Sequence, residues 1–175
     1  MTEKNCQIRS MTNADLEQVL AWRNEPDIRR YMLTQHEISL TEHRQWYERN
    51  SQDPTRRLLI VEEDGMALGF VHFSGVAPGG IADWGFYAAP GAAKGSGHKL
   101  GVTVLNFAFG TLGLHKVCGQ ALDFNEASIR FHRKLGFQQE GVLRQQHKGA
   151  DGYHDLICFG LLREEWNSRT EVNNG

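Results

Sequence analysis

Residues 91–101 read Gly-Ala-Ala-Lys-Gly-Ser-Gly-His-Lys-Leu-Gly. They stand between a strand-like run ending at Ala88 and an amphipathic run carrying Leu100, Val104, Leu105, Phe107 and Ala108. Glycine lets a backbone approach a ligand closely. The first amides of a helix lack intrahelical partners, and the positive end of the helix dipole strengthens their pull on an anion. A strand, a glycine-rich loop and a helix start therefore predict a phosphate or pyrophosphate cradle, with Lys94, His98 and Lys99 as added charge. The same composition also suits a plain flexible turn. The spacing is neither the Gly-x-x-x-x-Gly-Lys-Ser/Thr of a P-loop nor the Gly-x-Gly-x-x-Gly of a dinucleotide site.

Working outward, Gly113 closes the helix and His115–Leu122 reads as a strand. Asn125 is a natural N-cap for a helix through Leu135, which Gly136 ends. Strands near Phe137–Arg144 and Tyr153–Leu162 follow, with a turn at Gly149–Gly152. Upstream, Leu58–Glu62, Met66–Ser74 and Ile81–Ala88 are three strands, the first two joined by the turn Glu63-Asp64-Gly65, and Pro90 stops the third. Gln7–Arg9 opens the chain as a short strand. Thr12 and Asp15 form a capping-box start for a helix bearing Leu16, Val19, Leu20 and Trp22. Pro26 breaks that helix, Asp27–Met32 resumes it as a turn, and Thr41 is expected to cap the next, which carries His43, Trp46 and Tyr47. The order is mixed α/β (α+β), hairpin-rich in its first half and βαβαβ-like in its second. It predicts one domain over residues 1–166 and a polar, frayed tail over 167–175.

Composition narrows the function. A length of 175 residues with 40% apolar and 23% charged side chains is that of one ordinary globular domain. A formal charge of −2 offers no general attraction to nucleic acid, so an anionic ligand must be held by local groups. No apolar run approaches a bilayer span and the first residues lack a signal-peptide core, which predicts a cytoplasmic protein without a membrane partner. Cys6, Cys118 and Cys158 have no paired metal spacing and read as reduced thiols, and the eight histidines show no ligand spacing, so no metal is expected.

Residues 123–137 read Asp-Phe-Asn-Glu-Ala-Ser-Ile-Arg-Phe-His-Arg-Lys-Leu-Gly-Phe. With the 91–101 loop, this segment resembles the GNAT acetyltransferase superfamily over roughly Ile8–Trp166. The resemblance implies a central, mixed but mostly antiparallel twisted sheet flanked by helices and splayed at the strand ending Tyr87-Ala88. It implies acetyl-coenzyme A as co-substrate, with Lys94, Gly95, Ser96, Gly97, His98, Lys99, Asn125 and Phe131 as its contacts. Ala92 stands where the family usually has Gln or Arg, which removes one side-chain contact but leaves the backbone cradle. In the family the amine attacks the thioester directly, which calls for an oxyanion donor, an acid for the thiolate and a base for the amine. The resemblance assigns the donors to the amides of Ala88 and Ala89. It puts His132 where relatives carry a tyrosine acid, either as the acid or as a lining residue. Asp83, Glu37 and His72 are candidate bases by type alone.

Trp22-Arg23-Asn24-Glu25-Pro26-Asp27-Ile28-Arg29-Arg30-Tyr31-Met32, followed by Thr34, His36, Ile38, Ser39 and His43, is similar to the N-acetyltransferases of pseudaminic acid biosynthesis, from whose pattern Leu33 and Asp83 depart. That branch acetylates the 4-amino group of UDP-4-amino-4,6-dideoxy-N-acetyl-β-L-altrosamine. The resemblance implies Arg23 and His43 on the diphosphate, Tyr87 beside it, and Met32, Leu33 and Trp46 against the sugar. Trp22 and Trp46 equally suit a core, and Arg29-Arg30 a solvated face. A UDP-amino-sugar is thus the expected small-molecule partner, and a homodimer is compatible with the sequence. The alternatives are an acetyltransferase of ribosomal-protein N-termini, an aminoglycoside-modifying enzyme, and a non-catalytic acyl-coenzyme A binding module. The first two would be expected to need an acidic acceptor groove.

Overall fold

A computed structural model describes residues 5–173. The strands are β1 (Cys6–Ser10), β2 (Arg57–Glu63), β3 (Met66–Ser74), β4 (Ile81–Ala88), β5 (Lys116–Leu122), β6 (Gln138–Gly149) and β7 (Gly152–Leu162). The helices are α1 (Leu16–Asn24), α2 (Pro26–Arg29), α3 (Leu40–Ser51), α4 (Ser96–Gly110), α5 (Glu126–Leu135) and α6 (Arg163–Asn173). The strands form one mixed sheet in the order β1-β2-β3-β4-β5-β7-β6, antiparallel throughout except for the β4–β5 pair.

Alternation along the strands sorts two cores onto the two faces. Leu58, Ile60 and Phe70 join Met11, Leu16, Val19 and Trp22 under α1 and α3. Leu59, Val61, Val71 and Phe73 face the other way, with Leu100 and Val104 of α4, Leu135 of α5, Phe159 and Trp166. Because β2 is covered on both sides it reads as a continuous apolar run rather than an alternating one. Arg9 of β1 grips both Asp15 carboxylate oxygens at 2.7 Å, and Asp15 also accepts from the Thr12 amide at 2.8 Å. The Arg9 guanidinium holds that carboxyl below the usual carboxylate range.

Several expectations are corrected. The cap of α3 is Ser39, whose hydroxyl accepts from the Glu42 amide at 3.1 Å, rather than Thr41. Ser39-Leu40-Thr41-Glu42 is a Ser-x-x-Glu start two residues earlier than the reading placed it. β6 runs on past Arg144 to Gly149, because its ladder shifts register between Leu143 and His147. There Gln145 adopts φ 49° and its amide donates to Asp155 at 2.8 Å. Residues 167–173 of the expected tail continue α6, and residues 174–175 lie outside the described residues; buried Trp166 anchors the helix, with its indole N–H on Asn106 at 2.9 Å. The second half does run β4-α4-β5-α5-β6 in order, and β7 inserts between β5 and β6 in the sheet.

The feature that positions the site is a short pairing. β4 and β5 match only at Ile81–Asp83 against Lys116–Cys118. Beyond that β4 stays with β3 to Ala88, while β5 stays with β7 to Leu122, so the sheet opens as a wedge. α4 crosses close over β3 at Gly69, where an added Cβ would lie 2.4 Å from a Leu100 methyl and 2.7 Å from the Tyr87 carbonyl oxygen. Gly69→Ala is expected to cost about 1–3 kcal/mol by overpacking. Urea unfolding should show it as a lower midpoint with an unchanged slope.

Candidate active site

The wedge encloses a cavity of about 630 Å³. Trp84–Ala88 and Cys118–Leu122 form its two strand walls, Gly97 and Leu100 of α4 meet it at one end, and Asn125, Phe131 and His132 border it from the α5 side. The turn after α2 supplies Tyr31, Met32 and Leu33 on the remaining side.

Strand alternation decides which amides can reach a ligand. The Ala89 amide donates to the Leu68 carbonyl at 2.7 Å, toward β3. Successive amides of a strand point to opposite edges, so those of Phe86 and Ala88 face the opening. Ala88 is therefore placed as expected and Ala89 is not, because its N–H is used inside the sheet. The sequence reading missed that the Phe86 amide also faces the opening, which counting back two residues from Ala88 would have found.

The glycine loop bends through positive φ at Gly91 (72°) and Gly95 (89°), the latter acting as the N-cap of α4. The Ser96 amide donates to Ala93 and the Lys99 amide to Gly95, which leaves the amides of Gly97 and His98 in the turn before the helical ladder begins. No side chain caps this end, its first turn holds no acid, and nothing lies within 4 Å of a Cβ built at Gly97. The expected charges are partly redirected. Lys99 reaches Glu63 at 2.9 Å, away from the loop. Burial, with Lys134 and Arg169 nearby, pushes the His98 imidazole below its ordinary value, so it brings less charge than expected. Lys94 is exposed and Ser96 is buried. Asn125 caps α5 through its carbonyl oxygen, which accepts from the Ser128 amide at 3.2 Å, and it also borders the cavity beside Phe131.

His132 borders the cavity and is almost wholly enclosed. It is 1% exposed and lies ring on ring with Phe159, centroids 4.9 Å apart at 6°. The Trp84 indole N–H donates to its Nε2 at 3.1 Å, and its Nδ1 donates to the Ser128 carbonyl at 2.8 Å. Loss of water pushes the imidazole down to about 4. The one proton and the one lone pair of the neutral ring are thus both engaged in a packed polar network. Gly119 makes the room, since a Cβ there would sit 2.5 Å from His132 Nε2.

On the acceptor side, Met32, Leu33 and Tyr87 line the cavity as expected, whereas Arg23, His43 and Trp46 do not. The Arg23 guanidinium donates to the Thr34 carbonyl. Asn24 bonds both the amide and the carbonyl of Ile38 at 2.8 Å. This pair of residues pins the loop that follows α2. His43 is 4% exposed, stacks on Trp46 at 5.3 Å, and burial lowers its basicity, so neither belongs to a phosphate site. Burial pushes the Tyr87 phenol up to about 12, so it keeps its proton. Of the candidate bases, Asp83 and His72 border the cavity, while Glu37 is exposed and faces Arg29 at 3.8 Å. Asp27, Ile28, Tyr31 and Gln120 were not anticipated, and only the Pro26 break hinted that this turn faces a ligand.

Residues 6–138 match the family described as the Acetyltransferase (GNAT) domain. The chain belongs to this family.

As a GNAT acetyltransferase it uses acetyl-CoA as co-substrate and acts on an amine. It is 36% identical over 136 residues to YokL, a prophage-derived N-acetyltransferase of Bacillus subtilis, covering 75% of this chain and 73% of that one. It is 24% identical over 127 residues to the acetyltransferase PseH of Campylobacter jejuni, covering 73% and 79%. Its fold matches the spermidine N-acetyltransferase of Vibrio cholerae solved with CoA and spermine, with a TM-score of 0.85 at 22% identity over 93% of this chain and 98% of that one. Among the described residues no helix is long and apolar enough to cross a membrane, and no group of three His, Cys, Asp or Glu is placed to hold a metal.

The residues present fit the co-substrate. The uncapped amides at Gly97 and His98 suit a pyrophosphate, and the open edge of β4 suits an amide-bearing arm and a thioester carbonyl. Gly97→Ala is expected to leave stability nearly unchanged and to raise KM for acetyl-CoA about tenfold, corresponding to about 1.4 kcal/mol. The buried His132 also makes stability depend on pH. Its native value of about 4 lies below the ordinary 6.5, so the unfolded chain binds the proton more readily. Stability should therefore fall as pH drops from about 6.5 to about 4, by up to about 3 kcal/mol from this ring, and level off below. Urea midpoints measured across that range should decline less steeply in His132→Phe.

Proposed function

We propose that this acetyltransferase transfers the acetyl group of acetyl-CoA to the 4-amino group of a UDP-linked 4-amino-4,6-dideoxy sugar. The observation that carries the reading is the apolar wall of Ile28, Tyr31, Met32 and Leu33 on the acceptor side of the wedge, a surface suited to the methyl face of a deoxy-sugar. The 24% identity to PseH supports it. Since Arg23 and His43 are turned elsewhere, the diphosphate falls to the rim, where exposed Arg30 stands 4.6 Å over the Tyr31 ring. The amide of Ala88 or Phe86 would take the thioester oxygen as the amine nitrogen forms its bond to carbon and the carbon–sulfur bond breaks. With His132 committed to Trp84 and Ser128, the departing sulfur takes its proton from the acceptor nitrogen, which must shed it to become an amide.

A polyamine acceptor is the second reading. Asp27 and Asp83 border the cavity and, among the described residues, no Lys or Arg does, a charge balance that favours a cationic acceptor. Thiol release from acetyl-CoA, with the UDP-amino-sugar, spermidine and a ribosomal-protein N-terminal peptide offered separately, separates the readings. Turnover with the sugar is expected, and turnover with spermidine or the peptide alone would overturn it. Leu33→Asp is expected to raise KM for the sugar about tenfold while leaving KM for acetyl-CoA unchanged, measured by the same thiol assay.

A further inference from the structure

We propose that His72 is the general base, accepting a proton from the acceptor amine on the cavity side of Gly85. His72 lies on β3 directly opposite Gly85 of β4. Its ring leans across that strand, with Nε2 2.3 Å from where a Cβ at position 85 would be. Any other residue at 85 would push the imidazole aside. Gly85 precedes Phe86, whose amide faces the opening, so the imidazole and the carbonyl-binding edge stand at the same depth in the wedge.

His72 is largely buried and borders the cavity, stacked against Phe70 at 5.9 Å. Among the described residues no hydrogen bond occupies either of its ring nitrogens, in contrast to His132. Loss of water, with Arg56 adding to it, lowers the ring to about 4, so it is neutral at physiological pH and has a lone pair to offer. The other titratable groups around it are less suited. Tyr87 and Cys118 are both pushed up by burial and keep their protons. Asp83 lies at the closed apex of the wedge, paired with Cys118, and is exposed.

The protons balance as follows. The acceptor ammonium gives one proton to His72 and becomes the nucleophile. After its nitrogen bonds to the carbonyl carbon, a second proton leaves that nitrogen for the departing sulfur, and His72 returns its proton to water. Burial in the cavity disfavours the ammonium and so eases the loss of its proton. The assignment rests on the wedge being the acetyl-transfer site and not on which amine is the natural acceptor.

The test uses two simple acceptors at high concentration, ethanolamine, which is an ammonium ion at pH 7, and hydroxylamine, which is largely neutral there. In His72→Ala, kcat with ethanolamine is expected to fall about 100-fold, within the range typical of a lost general base, while kcat with hydroxylamine falls less than about threefold. Thermal stabilisation by acetyl-CoA should persist, which separates a folded variant from a damaged one. Gly85→Ala, which displaces the imidazole without removing it, should show the same selective loss. Equal losses with both acceptors, or no loss with ethanolamine, would overturn the proposal. Failure of the UDP-amino-sugar to turn over would leave these ratios intact and touch only the acceptor reading.

Discussion

Everything in the site depends on β4 and β5 parting after three paired residues. A strand edge inside a protein carries amides and carbonyls that must find partners. Here β3 satisfies one edge of β4 through Ala88, and the other edge is left facing a cavity. The aromatic side chains behind it, with Phe86 and Phe131 at 4.7 Å and Trp84 and Phe131 at 6.2 Å, make that wall firm. A ligand with its own amides and carbonyls can then lie in the gap as a missing strand would. The chemistry follows from this geometry, because the same edge that holds such an arm also presents donors to a carbonyl oxygen.

The wedge also imposes a direction. The loop that follows β4 turns at Gly91 and Gly95 and starts α4 at the wide end, so the anion-binding amides sit at the mouth. The closed end lies at Asp83 and Cys118. A molecule with phosphates at one end and a thioester at the other can enter in one orientation only. On the proposed reading the acceptor approaches from the sheet face carrying His72, Gly85 and Tyr87, where α2 and its following turn form the rim. Donor and acceptor thus reach the reacting carbon from separate sides.

Much of this was legible in the sequence because the signals are local. Asn125 and Gly136 bracket α5, Pro90 ends β4, and the glycines of residues 91–97 mark the cradle, each for reasons contained within a few residues. What could not be read is what depends on register and burial. Ala88 and Ala89 are equivalent in composition, and only the pairing of Ala89 with Leu68 tells their amides apart. His132 occupies the position of a family acid, yet Trp84 is 48 residues away in sequence and takes its lone pair. His43 and Trp46 are suited by type to a nucleotide, but α3 turns them into the core under α1. Gly85 gave no signal until His72 was found leaning over it.

The clamp at the end of α1 has a consequence for how such an enzyme can change. Arg23 and Asn24 hold the Thr34 and Ile38 segment through its main chain, indifferent to the side chains in between. Met32 and Leu33 therefore border the cavity from a scaffold held through its main chain, whereas Tyr31 is also fixed by its stack on Phe124. On the proposed reading, Met32 and Leu33 can change while the clamp and the co-substrate wedge keep their shape. One clamp and one wedge can in this way serve a lineage of enzymes that share their chemistry and differ in the amine they modify.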